Sequence, residues 1–420
     1  TAATPTCSGG RIQNSSGVGV SLSSTRSPSL TRMRIDGGGN HGIGGNTVDG
    51  LSLSNVLVQN NGNAVNENGI DMVALTGVAT LSNSTISGSH SSNISVRNSA
   101  GNLSAFNANA LTVSGNDTTN GNDGIQFVLD GTAVVVASIT NSNFASHKGD
   151  HLQFAAANSS GGSITFTGNT LSGGHPSPLG QGITLNAATG VPGYSGSVDY
   201  VFSNNSINGS VLSAVSTVLG TSSGAALFRG RIENNQIGTS GASLSCSTQA
   251  NGISLEARGN GTHTALVSNN TIRQCYDRGI QTTAGDGSGV LNLTVVGNVI
   301  DQQVAVFSRE AFETNFGTTS TNVFGGVDAP AVCLELGGAG VLANTFSNGT
   351  DSPNDFSLRK RFGATVRLPG YAGGTGQDGT ALGQVVTFLE GRNNTTPPSS
   401  ATATGTGGGY TGGAGCPLPP

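Results

Sequence analysis

Apolar and polar positions alternate along this chain in two recurring phrases. The first runs apolar, spacer, a turn-forming pair of Asn, Gly or Ser, spacer, apolar, as in LSNSTI (81–86), FSNNSI (202–207) and VSNNTI (267–272). Its apolar ends fall at Leu53/Val58, Leu81/Ile86, Ile139/Phe144, Phe166/Leu171, Phe202/Ile207, Ile232/Ile237, Val267/Ile272, Val295/Ile300 and Val341/Phe346, with a weaker copy at Val113/Thr118. The fourth position of the phrase falls at 56, 84, 116, 142, 169, 205, 235, 270, 298 and 344. The second phrase is a Gly or its equivalent followed by strict alternation, as in DGIQFVLD (123–130) and NGISLEAR (251–258). Ile125, Phe127 and Leu129 alternate, as do Ile253, Leu255 and Ala257. That is the period of a strand, not of a helix. The pattern predicts inward side chains at Ile125, Phe127, Leu152, Phe154, Ile183, Ile253 and Ile272.

A phrase that returns about once per 30 residues, with two or three short strands per return, is the signature of a solenoid. In a parallel β-helix each coil stacks on the last at about 4.8 Å, so ten copies span on the order of 45 Å. Asn at a corner tolerates the left-handed conformation, and its amide can stack on the next coil. The alternative is an Asn/Ser-rich antiparallel sandwich, but hairpins would not explain the return of one phrase per turn.

The pattern divides the chain. Residues 35–346 carry the coils. Residues 1–34 lack the Asn corner and read as an N-terminal cap. Residues 347–396 read as a C-terminal cap with a short helix, since Leu382, Val385, Val386 and Leu389 have helical spacing, with Asp378 or Thr380 at its start and Gly391 at its end. Residues 397–420, rich in Thr, Gly and Pro, have linker composition and read as a flexible or partner-engaging tail.

Composition narrows the classes. Charged residues are 9%, Trp is absent, Gly numbers 67 and net charge is −5, small and dispersed. Nothing points to nucleic acid, and no apolar run is long enough for a membrane span. The chain starts without Met or a charged-then-apolar leader and reads as a processed product or a fragment. Five cysteines suggest an oxidising compartment, hence secretion or a cell surface. Cys246 and Cys275 lie past the same bend on neighbouring coils and are expected to pair. Cys333 and Cys416 could staple the tail back and leave Cys7 over. Alternatively, Cys7 pairs with Cys416 of the next molecule.

The phrases GNTL (168–171), GITL (182–185), GISL (252–255) and NNTI (269–272) resemble those of right-handed parallel β-helix proteins of bacterial extracellular and surface systems, the pectin-lyase-like superfold. The resemblance covers about residues 35–346. It implies an all-β right-handed parallel β-helix of about ten or more coils. It implies little about function, because the superfold hosts lyases, hydrolases, tailspikes and adhesive passengers. No particular family's catalytic motif transfers to this sequence.

The best candidate chemistry is Asp123 with Asp150. NDGIQF (122–127) aligns with GDHLQF (149–154) one coil on, which stacks the two carboxylates. Such a pair would share a proton, hold a cation, or serve acid/base work on a sugar, with His151 close by and His147 and Lys148 beside it. The plain reading is that each Asp caps a turn. Asp301, Glu310, Glu313 and Glu335 read as solvated surface. Arg359, Lys360 and Arg361 read as a salt-bridged cap or as a grip on an anionic glycan. No cofactor motif or metal spacing among histidines is present. The expectation is therefore a non-enzymatic, secreted structural or adhesive β-helix that self-associates end to end as an extracellular filament subunit, or that meets a surface glycan. The alternative is a polysaccharide lyase or glycoside hydrolase using the Asp123/Asp150 face.

Overall fold

The computed structural model describes residues 5–172, 175, 179–187, 193–302, 309–317, 328–349, 351–352, 354–396 and 398–420. Two compact units are present, one of residues 1–185 with 205–212, the other of residues 186–204 with 213–420. Each is a parallel β-helix.

In the first unit, one ladder runs through Gly10–Gln13, Met33–Asp36, Leu57–Gln59, Thr85–Ser89, Thr112–Asn116, Asn143–Ala145, Thr170–Ser172 and Ser206–Ile207, each strand parallel to the next. The register aligns one inward column: Ile12, Ile35, Val58, Ile86, Val113, Phe144, Leu171 and Ile207. A second inward column holds Ile43, Ile70, Ile94, Ile125 and Leu152. From Ile35 and Ile43 onward these side chains are at most 1% exposed. Phe127 sits between Phe106 and Phe154, at centroid distances of 5.1 and 5.7 Å.

The second unit repeats the plan. Gln236–Ile237, Thr271–Arg273, Val299–Asp301 and Thr345–Ser347 form one ladder. A second ladder runs from Val215–Thr221 through Ile253–Gly259, Ile280–Gly285, Phe312–Phe316 and Phe356–Lys360 to Ser400–Ala403. A third runs from Ser197–Ser203 through Leu227–Glu233, Thr262–Ser268, Val290–Val296, Ala331–Leu336 and Thr365–Arg367 to Tyr410–Thr411. All seven residues expected inside, from Ile125 to Ile272, are fully buried.

The two residues of each corner do different work. Asn55, Asn83, Asn141, Asn204, Asn234 and Asn269 occupy the third position at φ of 48–58°, the left-handed region that a short amide side chain tolerates. The fourth position carries a ladder of side-chain hydrogen bonds. Asn235, Asn270, Asn298 and Asn344 each donate a backbone N–H to the Oδ1 of the next member, ending at Asn393, over 2.9–3.2 Å. Each Nδ2 donates to the same oxygen at 2.8–3.0 Å. In the first unit Val56 and Leu111 donate instead to the hydroxyls of Ser84 and Ser142.

Several sequence expectations need correction. The weaker phrase copy has its corner at Ala110–Leu111, with Ala110 at φ 54°. Val113 is therefore the second inward residue of that copy, while Asn116 and Thr118 play no corner part. Ala110 and Leu111 carry no polar side chain to mark the corner, whereas Asn116 downstream imitates one. Val341 is 89% exposed, and Leu336 takes its place opposite Val295. The segment 1–34 contains a coil, since Gly10–Gln13 pairs with Met33–Asp36 and Val20–Arg26 with Ile43–Ser54. Its corner carries Arg32 at φ 55°, not Asn. Residues 347–396 hold another coil besides the helix.

The supposed flexible tail also supplies ladder strands, Ser400–Ala403 and Tyr410–Thr411. Thr- and Gly-rich chain needs no apolar run of its own when a finished coil offers its backbone, and Tyr410 is fully buried. The helix α1, Gly379–Glu390, starts at Asp378, whose carboxylate accepts from the N–H groups of Thr380 and Ala381. It buries Ala381, Val385 and Leu389. Cys246–Cys275 and Cys333–Cys416 are disulfides and Cys7 is free, so Cys416 is not held for Cys7 of another molecule.

Candidate functional site

Asp123 and Asp150 precede two strands, Ile125–Leu129 and Leu152–Ala156, that pair Ile125 to Leu152, so the carboxylates stand one coil apart, as the alignment required. Each is tied to backbone. Asp123 Oδ1 accepts from the Asp150 N–H at 2.7 Å, and Asp150 Oδ1 from the Gln181 N–H at 2.9 Å. Asn68, at the equivalent place two coils before Asp123, makes the same bond to the Ser92 N–H at 2.8 Å. Asn251 makes it to Arg278 at 3.1 Å in the second unit. The bond is thus a recurrent coil-to-coil link that an amide forms as well as an acid.

What sets the aspartates apart is ionisation. Asp123 is 1% exposed, and its Oδ2 has no partner among the described residues. Burial pushes its pKa well above the usual carboxylate range, and the Asp150 charge adds to the rise. Burial raises Asp150 as well, opposed by the neighbouring Thr184 and Gln153 side chains and by the hydrogen bond from the Gln181 N–H. Two buried acids one coil apart resist carrying two charges at once, so they titrate as a coupled pair. They line a recess of about 280 Å³ with Asn122, Lys148, Gln153 and Gln181. The Lys148 ammonium donates to the Thr119 carbonyl at 2.5 Å, and Gln126 Nε2 to Gln153 Oε1 at 2.7 Å.

His151 does not join the acids. It lies in the interior, 1% exposed, with Nδ1 2.7 Å from His147 Nδ1. One nitrogen must donate and the other accept, so the rings hold complementary neutral tautomers. His147 Nε2 meets the Asn93 amide at 3.2 Å. His175 stacks on His151 with centroids 4.5 Å apart and donates from Nδ1 to the His147 carbonyl at 2.8 Å. Burial pushes His147 down to about 3, His151 well below the usual range, and His175 down. Gly124 makes the space, since a β-carbon there would stand 2.7 Å from His147 Cε1. His175 had no sequence signal, because it lies between strands, outside both phrases. Among the described residues no group of His, Cys, Asp or Glu is arranged to hold a metal ion.

The acids read as solvated surface divide. Glu313 is fully buried and Glu310 5% exposed, so that reading fails for both. Arg278 Nε lies 2.8 Å from Glu313 and 3.8 Å from Glu310, and Arg359 stands 3.5 Å from Glu313. Glu335 pairs with Arg392 at 3.4 Å, and Asp301 is half-buried. Arg359 therefore serves an internal ion network, and Arg361 reaches Asn315 at 3.4 Å. Lys360 points into the bore, opposite Phe316, its Nζ without a partner among the described residues, and burial lowers its pKa. These buried charges were not legible because their partners come from different coils.

No family model matches the chain, and comparison with curated proteins and with solved structures gives no match. No helix among the described residues is long and apolar enough to cross a membrane.

Proposed function

We propose that this protein is a non-enzymatic, extracellular structural or adhesive β-helix of the pectin-lyase-like kind, able to associate end to end with further copies and to meet a surface glycan through its polar outer rows. The observation that carries this reading is the use of Asp123 and Asp150 as coil-to-coil links, a duty that Asn68 discharges equally well. The two disulfides favour an oxidising environment. End-to-end contact is favoured by the first coil. Among the described residues Gly10–Gln13 pairs on one side only, and Ile12, Val20, Leu22 and Leu30 are half-buried where their successors Ile35, Ile43 and Leu53 are closed off. Unpaired strand edges of this kind invite pairing. Sedimentation velocity with negative-stain microscopy over a concentration series tests it. Linear assemblies are expected, and a monomer at the highest concentration overturns the assembly.

One observation favours a second reading, glycan cleavage: beside a recess, Asp123 keeps an oxygen without a partner among the described residues, and burial raises its pKa, as for a general acid. Turnover of a panel of acidic and neutral polysaccharides, lost in Asp150→Asn, would establish it. Absence of turnover by the unaltered protein removes it.

A further inference from the structure

Residues 412–420 do not continue the ladders. After Tyr410–Thr411 they run as a strap across the outer face of the second unit, held at three places. Arg367 Nη1 donates to the carbonyls of Ala414 and Gly415. Cys416 is bonded to Cys333. Arg231 donates from Nε to the Pro420 carbonyl at 3.1 Å and from Nη2 to the Pro419 carbonyl at 2.9 Å. Strand register sets the path. Arg367 pairs with Cys333, Cys333 with Asn292, Asn292 with Thr264 and Thr264 with Arg229, two residues from Arg231. Four strand steps of about 4.8 Å make about 19 Å. The five steps from residue 415 to residue 420 reach about 17 Å when extended, and arginine side chains close the rest.

Every grip is on a main-chain carbonyl or on one sulfur, so none requires the strap to come from the same chain. Only Cys416 and Pro419 of residues 413–420 are buried, and Leu418 is 58% exposed. The strap leaves the last strand through Gly412 and Gly413, where a β-carbon at Gly412 would strike the Tyr371 carbonyl. A short, separable element on a glycine hinge can be exchanged between copies at low cost.

We infer that the face bearing Arg231, Cys333 and Arg367 is a docking site for residues 412–420 of a second copy, locked by a Cys416–Cys333 disulfide between chains. Oxidised glutathione suffices for the bond. The Cys333 thiolate attacks it and releases one glutathione thiolate, then the incoming Cys416 thiolate displaces the second, so two thiols are oxidised as one glutathione disulfide is reduced. The intramolecular strap competes at an effective concentration on the order of mM, so exchange is favoured where copies are crowded before the disulfide closes. The inference shares self-association with the proposed function but does not need end-to-end contact.

The test uses full-length chains carrying Cys7→Ser. A Cys333→Ser donor of the strap thiol and a Cys416→Ser acceptor are mixed at equal concentration in a glutathione redox buffer, run on a non-reducing gel and mapped by mass spectrometry. A heterodimer joined through Cys333 and Cys416 is expected, several-fold weaker when the acceptor carries Arg231→Ala and Arg367→Ala. Thiols capped by glutathione without a heterodimer overturn the inference, as does a yield indifferent to the arginines. Should circular dichroism show either variant unfolded, the Cys7→Ser chain, reduced and reoxidised at rising concentration, replaces them. Dimers linked through Cys333 and Cys416 support exchange, and their absence overturns it. Assemblies in sedimentation without this crosslink leave the end-to-end reading standing and the strap site refuted. A heterodimer formed by the mixed variants, while the unaltered oxidised protein sediments as a monomer, does the reverse.

Discussion

Replacing Asn270 by Ala should be among the costliest single changes in the second unit, although its neighbour Asn269 looks identical in sequence. Asn270 is 1% exposed. Its Oδ1 accepts from the Asn235 backbone N–H at 3.0 Å and from Asn235 Nδ2 at 2.9 Å. Its Nδ2 donates to Asn298 Oδ1 at 3.0 Å and to the Ile232 carbonyl at 2.7 Å. Asn298 Oδ1 keeps the Asn270 backbone N–H in the Ala variant. The Asn235 N–H loses its acceptor, and the Ile232 carbonyl and Asn235 Nδ2 each lose a bond. At about 1–3 kcal/mol for the N–H left unpaired and about 0.5–1.5 kcal/mol for each of the two other lost bonds, the loss is about 2–6 kcal/mol. Asn270→Asp should fare no better, because a carboxylate cannot donate to Asn298 Oδ1. Asn269 is exposed and serves by its φ of 55°. Asn269→Ala should cost about 1–2 kcal/mol of left-handed strain, and Asn269→Gly much less. Urea unfolding gives the difference, with hydrogen exchange at the Asn235 amide as a local readout, since repeat arrays need not unfold in one step. An Asn270→Ala variant no less stable than Asn269→Ala would refute the ladder as a source of stability.

Three further expectations concern protons and sulfur. Asp123 is raised, so its stabilising contribution is present below the ordinary carboxylate range and lost as pH rises through the raised value. Asp123→Asn has no such loss and should gain on the unaltered protein between pH 4 and pH 8 in urea midpoints, and the opposite trend would contradict a buried acid. In that same background, His147 is lowered from about 6.5 to about 3, so its contribution is complete above pH 6.5 and is lost as pH falls. Between pH 6.5 and 5 it alone should remove about 2 kcal/mol at about 1.4 kcal/mol per unit, with His151 and His175 adding to the slope, and a flat profile would place these rings in water. Cys246→Ser with Cys275→Ser opens a link across 29 residues. Loop-closure entropy sets the loss at about 3.6 kcal/mol, and a chemical-denaturation shift under about 1 kcal/mol would argue against that loop being closed in the unfolded state.

The coil plan was legible because it rests on local signals. The inward column needs an apolar residue at a fixed place in each coil, and the left-handed corner needs Asn or Gly, so both rules print themselves once per turn. Where a rule is met by other means, legibility fails. Ala110 takes the left-handed corner and Leu111 the ladder place, both without polarity. Asn393 closes the asparagine ladder, but α1 intervenes and hides the period. The strands at 400–403 and 410–411 carry little apolar character, because their stability comes from the coil beneath them.

The candidate site was legible as a placement and not as a role, for a physical reason. An Asp that caps a coil and an Asp that donates a proton need the same position, before a glycine or its equivalent and facing the next turn. The difference lies in the second oxygen. Asn68 uses its second polar atom, Nδ2, to reach Asp71 Oδ1 at 2.7 Å, and Asp71 in turn binds Arg97 at 2.7 Å, so that corner is satisfied as an amide and an ion pair. Asp123 has no such counterpart for Oδ2, and the nearest charged group above it is another buried acid. With no cation paired to either carboxylate among the described residues, the cheapest state of the pair carries a proton and behaves as an amide does. The two acids then repeat the coil-to-coil link that Asn68 makes. Chemistry at this place would require a ligand that gains more from that proton than the coil-to-coil link does.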